Sequence, residues 1–79
     1  MEITFKEAVE YLQDGEEITL NCGRYSYEIS SSSNWVGGDV AEGYISSVLG
    51  NSIYNDAERV LKQSIDFLAR NGEEVTIEV

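Results

Sequence analysis

The chain has 79 residues, of which fifteen are Asp or Glu, five are Lys or Arg and none is His, so its net charge is −10 at neutral pH. This length predicts a single domain, residues 1–79, with a small core, and the charge disfavours direct binding to nucleic acid or to an anionic membrane. The lack of His excludes catalytic triads and most proton shuttles, and a single cysteine, Cys22, excludes an internal disulfide. We therefore expect a non-enzymatic protein without a metal or cofactor.

The first predicted element is a helix from about Phe5 to Gln13. Thr4 and Glu7 have the spacing of a capping box, in which each side chain binds a free amide of the other residue. Gly15 can end the helix in a left-handed conformation. The apolar residues at helical spacing are Phe5, Ala8, Val9 and Leu12.

Two segments in which apolar and polar residues alternate come next, residues 17–22 and 25–30. Gly23 and Arg24 separate them. This pattern predicts a β-hairpin with one apolar face.

A second helix is predicted after a polar tract, residues 30–34, that suits no regular element. Asp39 and Glu42 repeat the capping-box spacing, and Gly50 would end the helix. Gly37 and Gly38 precede it without a nearby Lys or Arg, so a flexible loop is favoured there over a phosphate cradle. The apolar stripe comprises Val40, Ala41, Tyr44, Ile45, Val48 and Leu49.

A third helix is predicted from Asn55, with Glu58 in its first turn, to a stop at Asn71 and Gly72. Alternation over residues 74–79 then predicts a final strand, which needs a neighbour and is expected to pair with the first hairpin strand. The expected fold is α+β, with a three-stranded antiparallel sheet, helices on one of its faces and the order α-β-β-α-α-β.

The acidic residues are expected on two outer surfaces. On the first helix they fall opposite the apolar stripe, and on the strands they alternate with the apolar residues. The third helix, in contrast, has three opposite-charge pairs four residues apart and is nearly balanced. The candidate partner-binding acids are Glu17, Glu28, Glu74 and Glu78 on the sheet, and Glu7, Glu10 and Asp14 on the helix.

Trp35 is the other candidate contact residue, because Trp is enriched at interface hot spots and this one follows the Ser-rich tract. Two roles stay open for it: packing over the end of the sheet, or an exposed anchor for a partner. The start of the chain lacks the pattern of a signal peptide, and no apolar run is long enough to cross a bilayer. With one cysteine, this favours a reducing, cytoplasmic location.

In size, acidity and α+β pattern the chain resembles phage-encoded inhibitors of bacterial defence, including anti-CRISPR and anti-restriction proteins, some of which mimic nucleic acid. Its opening, TFKEAVEYLQDGEEI at residues 4–18, is similar to the first helix and strand of short phage proteins that include nucleotide-sequestering anti-Thoeris proteins. Those continue with a basic residue and a Gly-Trp pair, whereas NCGRYSY follows here, so their ligand pocket is not implied. Acidic immunity proteins of nuclease toxins share the charge and size.

The acid distribution predicts an inhibitor that presents carboxylates to the positively charged nucleic-acid-binding surface of a defence complex or nuclease. If the chain is phage-encoded, it would act in the host cytoplasm. The alternative is a protein-interaction module that uses Trp35 and its loop, with the acids serving solubility.

Overall fold

The computed structural model describes residues 1–36, 39–50, 53–70 and 72–79, with side chains outside 32–36 and 39–42. The expectations for Gly37, Gly38 and Asn71, and for the side chain of Trp35, lie outside this description. The elements are β1 (Glu2–Ile3), α1 (Phe5–Gln13), β2 (Ile18–Cys22), β3 (Tyr25–Val36), β4 (Asp39–Ser46), β5 (Ile53–Tyr54), α2 (Ala57–Ala69) and β6 (Val75–Glu78).

The strands form one antiparallel sheet of six strands in the order β1-β6-β2-β3-β4-β5. The α+β class is confirmed, but the three-stranded sheet and the order α-β-β-α-α-β are wrong. The predicted pairing of the last strand with the first hairpin strand is confirmed, since β6 lies against β2. The other edge of β6 pairs with β1, a strand of two residues that is too short to give a sequence pattern.

Helix α1 has the predicted bounds and the predicted capping box. The Thr4 hydroxyl accepts a hydrogen bond from the Glu7 amide at 3.2 Å, and the Glu7 carboxylate accepts one from the Thr4 amide at 3.0 Å. Gly15 follows the helix with φ +86°, a conformation that L side chains rarely adopt. Local sequence signals are therefore sufficient to place this helix.

The predicted second helix is wrong, because residues 39–46 form strand β4. The tract at residues 30–34 is also not a loop: it continues β3, which pairs with β4 from Ile29 opposite Ser46 to Val36 opposite Asp39. Gly43 lowers helix propensity, and β-branched and aromatic residues such as Ile45 and Tyr44 favour strands. The long β3 supplies the neighbour that makes the strand the stable choice.

Helix α2 is confirmed as an element, but its N-cap is Asp56 and not Asn55. The Asp56 carboxylate accepts hydrogen bonds from the amides of Glu58 at 3.0 Å and Arg59 at 3.5 Å. Asp and Asn are nearly equivalent N-caps, so adjacent residues of these types leave the start ambiguous by one position.

Both helices pack on the same face of the sheet, which we call the inner face. Each of the fully buried apolar residues there contributes about 1.5–3 kcal/mol by leaving water, less for alanine. The opposite, outer face carries no helix in the part of the chain that the structure describes. The buried apolar residues at the centre of the core are Ala8, Leu12, Ile18, Leu20, Ile29, Val60 and Leu61.

Candidate functional site

Three glutamates lie on one line across the outer face, with Thr19 between two of them. Glu2 on β1 is opposite Glu78 on β6, Glu78 is opposite Thr19 on β2, and Thr19 is opposite Glu28 on β3. Directly paired residues point to the same face. We call Glu2, Glu78 and Glu28 the carboxylate row. Since strands are about 4.8 Å apart, the row spans about 14 Å.

The carboxylates of this row are exposed, and the described residues give them no hydrogen bond or ion pair. None of the residues in the six strands is Lys or Arg, so the described face offers the row no cation from its own sheet. The backbone of Glu28 is held by two hydrogen bonds to Ser47: its amide donates to the Ser47 hydroxyl at 2.9 Å and its carbonyl accepts from the Ser47 amide at 3.0 Å. The row is thus a set of free charges on a rigid support.

Short polar side chains surround the row. The Ser26 hydroxyl donates to the Asn21 side-chain oxygen at 2.8 Å, and these two residues are paired on the outer face. Thr76 lies opposite Asn21 on β6. Because these side chains are short, a partner can approach the sheet closely.

The two remaining sheet candidates, Glu17 and Glu74, lie just before β2 and β6 and are exposed. Glu74 lines an open depression of about 500 Å³ together with Asn21, Glu73 and Thr76. It therefore borders the outer face at the end of β6 that is opposite to Glu78.

Cys22 is buried beside this depression, with 5% of its surface exposed. Its thiol donates a hydrogen bond to the Glu73 carboxylate at 3.2 Å. This bond, together with burial and the charge of Glu73, raises the pKa of the Cys22 thiol. The thiol is protonated at neutral pH, which suits neither a nucleophile nor a zinc ligand.

The helix candidates lie on the other side of the molecule. Ala8 and Leu12 point α1 toward the inner face, so Glu10 and Asp14 lie on the side of the helix that faces away from the sheet. Glu7 is also exposed, and its bond to the Thr4 amide and then its bond to the Thr4 side chain lower the pKa of its carboxyl group. The structure therefore does not bring Glu7, Glu10 and Asp14 together with the carboxylate row.

Helix α2 presents a mixed surface, although only one of its three expected charge pairs forms. Lys62 and Asp66 are 2.9 Å apart and both exposed. Arg70 instead stacks over the Phe67 ring, 4.2 Å from its centroid. The Lys and Arg residues of this helix lie in the helical layer on the inner side of the sheet, so they do not neutralise the acidic outer face.

Trp35 lies near the end of β3, opposite Val40 on β4. Strand β2 pairs with β3 only as far as Ile29, so among the described strands β4 alone is the neighbour of β3 at Trp35. The backbone places the residue in a two-stranded part of the sheet.

The sequence reasoning missed Glu2, Ile45 and Ile53. Ile45 and Ile53 are paired on β4 and β5, and Ile45 is opposite Ser30, which shares the outer face with Glu28. Glu2 and Ile53 lie in strands of two residues, which are too short to show alternation in the sequence. Ile45 fits a helical stripe in the sequence, and its outward position follows only from the register of β4.

Comparison of the chain with protein-family models, with curated proteins and with solved structures found no match. No helix in the described part of the chain is long and apolar enough to cross a membrane. The same residues contain no group of three or more Cys, Asp or Glu side chains arranged to hold a metal ion.

Proposed function

We propose that the chain is a non-enzymatic inhibitor, acting in the cytoplasm, that binds the positively charged nucleic-acid-binding surface of a nuclease or defence complex. The observation that supports this most is the carboxylate row on an open sheet face without cations in its strands. Each carboxylate would pair with a Lys or Arg that otherwise holds a phosphate.

The dimensions of the row suit this role. Glu2 and Glu78 are about 4.8 Å apart, and Glu78 and Glu28 are about 9.6 Å apart because Thr19 lies between them. These distances are roughly one and a half to three times the axial charge spacing of about 3.4 Å along one strand of duplex DNA. A groove lined with Lys and Arg for a phosphate backbone could therefore accept the row. Association would be fast and would weaken as the salt concentration rises.

The first experiment compares two folded triple variants with the same change in net charge. Glu2→Lys/Glu28→Lys/Glu78→Lys reverses the carboxylate row, and Glu10→Lys/Asp14→Lys/Glu16→Lys reverses exposed acids on and after α1. Wild-type protein is used to capture a partner from a bacterial lysate, and added duplex DNA or RNA is tested for release of that partner. Reversal of the row should weaken binding at least about a hundredfold, because it replaces attraction with repulsion.

The variant with reversed helix acids should bind nearly as well as the wild type. A neutral variant, Glu2→Gln/Glu28→Gln/Glu78→Gln, covers the case in which three lysines disturb the sheet, and circular dichroism checks that each variant is folded. Unchanged binding by the neutral and the Lys variants of the row, or a partner that nucleic acid does not displace, would refute the proposal.

A protein-interaction module centred on Trp35 is the second candidate. The supporting observation is that Trp35 lies where β3 extends beyond β2. Trp35→Ala distinguishes the two: loss of binding with little salt dependence would favour this module, whereas retained, salt-sensitive binding would favour the row.

A further inference from the structure

The outer face is not uniformly polar, because its composition changes from one edge to the other. The carboxylate row crosses β1, β6, β2 and β3, and Ile45 and Ile53 lie next to each other on β4 and β5. Ile53 is 47% exposed and Ile45 is half-buried. Gly43, which has no side chain, lies beneath the Cγ2 atom of Ile53.

Single exposed apolar residues are common and need no explanation. Here, however, two isoleucines are paired on the face that carries no helix, while the inward position next to Ile45 on the same strand is Ser46, which is fully buried. Tyr44 and Tyr54 on the same two strands pack against the core, whereas the side chains of Ile45 and Ile53 point away from it. Apolar contacts of this kind mark interaction surfaces when they adjoin a polar rim.

The isoleucine pair lies close to the carboxylate row. Ile45 is opposite Ser30, and Ser30 is two residues from Glu28 on the same face of β3. A diagonal neighbour of this kind is about 7–8 Å away. One partner surface can therefore contact both the isoleucines and Glu28.

We infer that the outer face binds a protein whose cationic surface carries an apolar side chain beside its Lys and Arg residues, with that side chain resting on Ile45 and Ile53. This inference rests on the proposed function and adds the chemistry of the partner. A second copy of the chain is disfavoured as the occupant, because it would bring a second molecule of charge −10 toward the row.

The test uses two synthetic heptapeptides as probes. In the first, four lysines alternate with glycines, and in the second the central glycine is replaced by phenylalanine, so the charge is unchanged. Binding of each peptide to the full chain is followed by NMR titration at low salt. The phenylalanine peptide should bind about fivefold more tightly and should shift the amide signals of Ile45 and Ile53.

Two variants locate that preference. Ile53→Thr keeps the β-branched shape but removes apolar surface, and it should abolish the preference for the phenylalanine peptide. The matched control is Phe67→Gln on α2, where a side chain of similar exposure, 45%, is removed from the other layer. This control should keep the preference.

Equal binding of the two peptides, or a preference that survives Ile53→Thr, would overturn the inference and leave the proposed function intact. The proposed function fails as well if neither peptide binds the wild type. It also fails if both peptides bind the variant with the reversed carboxylate row as tightly as they bind the wild type. Sedimentation adds one more decisive outcome: a dimer that Ile53→Thr dissociates would assign the isoleucines to a second copy and overturn the inference.

Discussion

At the scale of single residues, two buried serines connect the sheet to α2. Ser64 donates its hydroxyl proton to the Val60 carbonyl at 2.7 Å, so Ser46 is the donor in the 2.7 Å bond between the two hydroxyls. The Val48 amide in turn donates to the Ser46 hydroxyl at 3.2 Å. Both hydroxyl groups are therefore satisfied although neither residue is exposed.

This arrangement predicts that Ser64→Ala lowers the free energy of unfolding by about 1–3 kcal/mol, because the Ser46 hydroxyl loses its acceptor inside the core. Ser46→Ala should lower the free energy of unfolding less in the Ser64→Ala variant than in the wild type, since in the variant it removes a hydroxyl group that is already unpaired. Urea denaturation of both single variants and the double variant measures the coupling. Ser26→Ala, which breaks an exposed hydrogen bond, should change stability by less than about 0.5 kcal/mol. Strictly additive effects of the two buried serines would contradict this account.

At the scale of elements, the capping box of α1 makes the stability of the helix depend on pH. The pKa of the Glu7 carboxyl group is lowered below the ordinary value of 4.5, because its charged form accepts a hydrogen bond from the Thr4 amide and, to a smaller extent, from the Thr4 side chain. A lowered pKa in the folded state means that the stabilisation is fully present above the pKa of the unfolded chain. It is lost as the pH falls through the lower pKa of the folded state.

We expect the difference in stability between the wild type and Glu7→Gln to shrink as the pH falls below 4.5. The control is Glu10→Gln, which removes one charge from the same helix and leaves the capping box intact. Denaturation curves of the three proteins between pH 7 and pH 3 provide the comparison. If the Glu7 variant and its control follow the same pH profile, the capping box does not carry this dependence.

The elements also show which parts of the fold the sequence could predict. Helix α1 and the β2–β3 hairpin were predictable, because caps and alternating residues are local signals that agree with the tertiary packing. Strand β4 was not, since one of its inward positions is a serine, Ser46, and the outward position beside it is an isoleucine, Ile45. Apolar residues therefore occur on both faces of β4, because Tyr44 packs against the core and Ile45 points outward. Adjacent apolar residues of this kind match a helical stripe better than the alternation of a strand.

The same reasoning explains what was predictable of the candidate site. Glu28 and Glu78 were placed on the outer face by alternation, and the register confirms that they share it. Glu2 and Ile53 could not be placed there, because strands of two residues have no periodicity and exist only through pairing with β6 and β4. The contact between the acidic and apolar parts of the face is a property of register, which depends on partners distant in the chain.

At the scale of the whole molecule, repulsion between carboxylates opposes folding. Every Asp and Glu whose side chain the structure describes is exposed, and the described residues contain one ion pair, Lys62 with Asp66. Folding therefore concentrates a charge of −10 on a small surface with little compensation.

Salt should consequently stabilise this protein, because screening weakens the repulsion more than it weakens one exposed ion pair. The midpoint of thermal unfolding should rise when NaCl is increased from about 0.02 M to about 0.5 M, over which the Debye length falls from roughly 20 Å to roughly 4 Å. The variant Glu2→Gln/Glu28→Gln/Glu78→Gln changes the net charge from −10 to −7 and should gain less from the same salt. A midpoint that falls with NaCl would mean that attractive pairs outweigh the repulsion. An equal gain in the wild type and the variant would mean that the carboxylate row is not a main source of the repulsion.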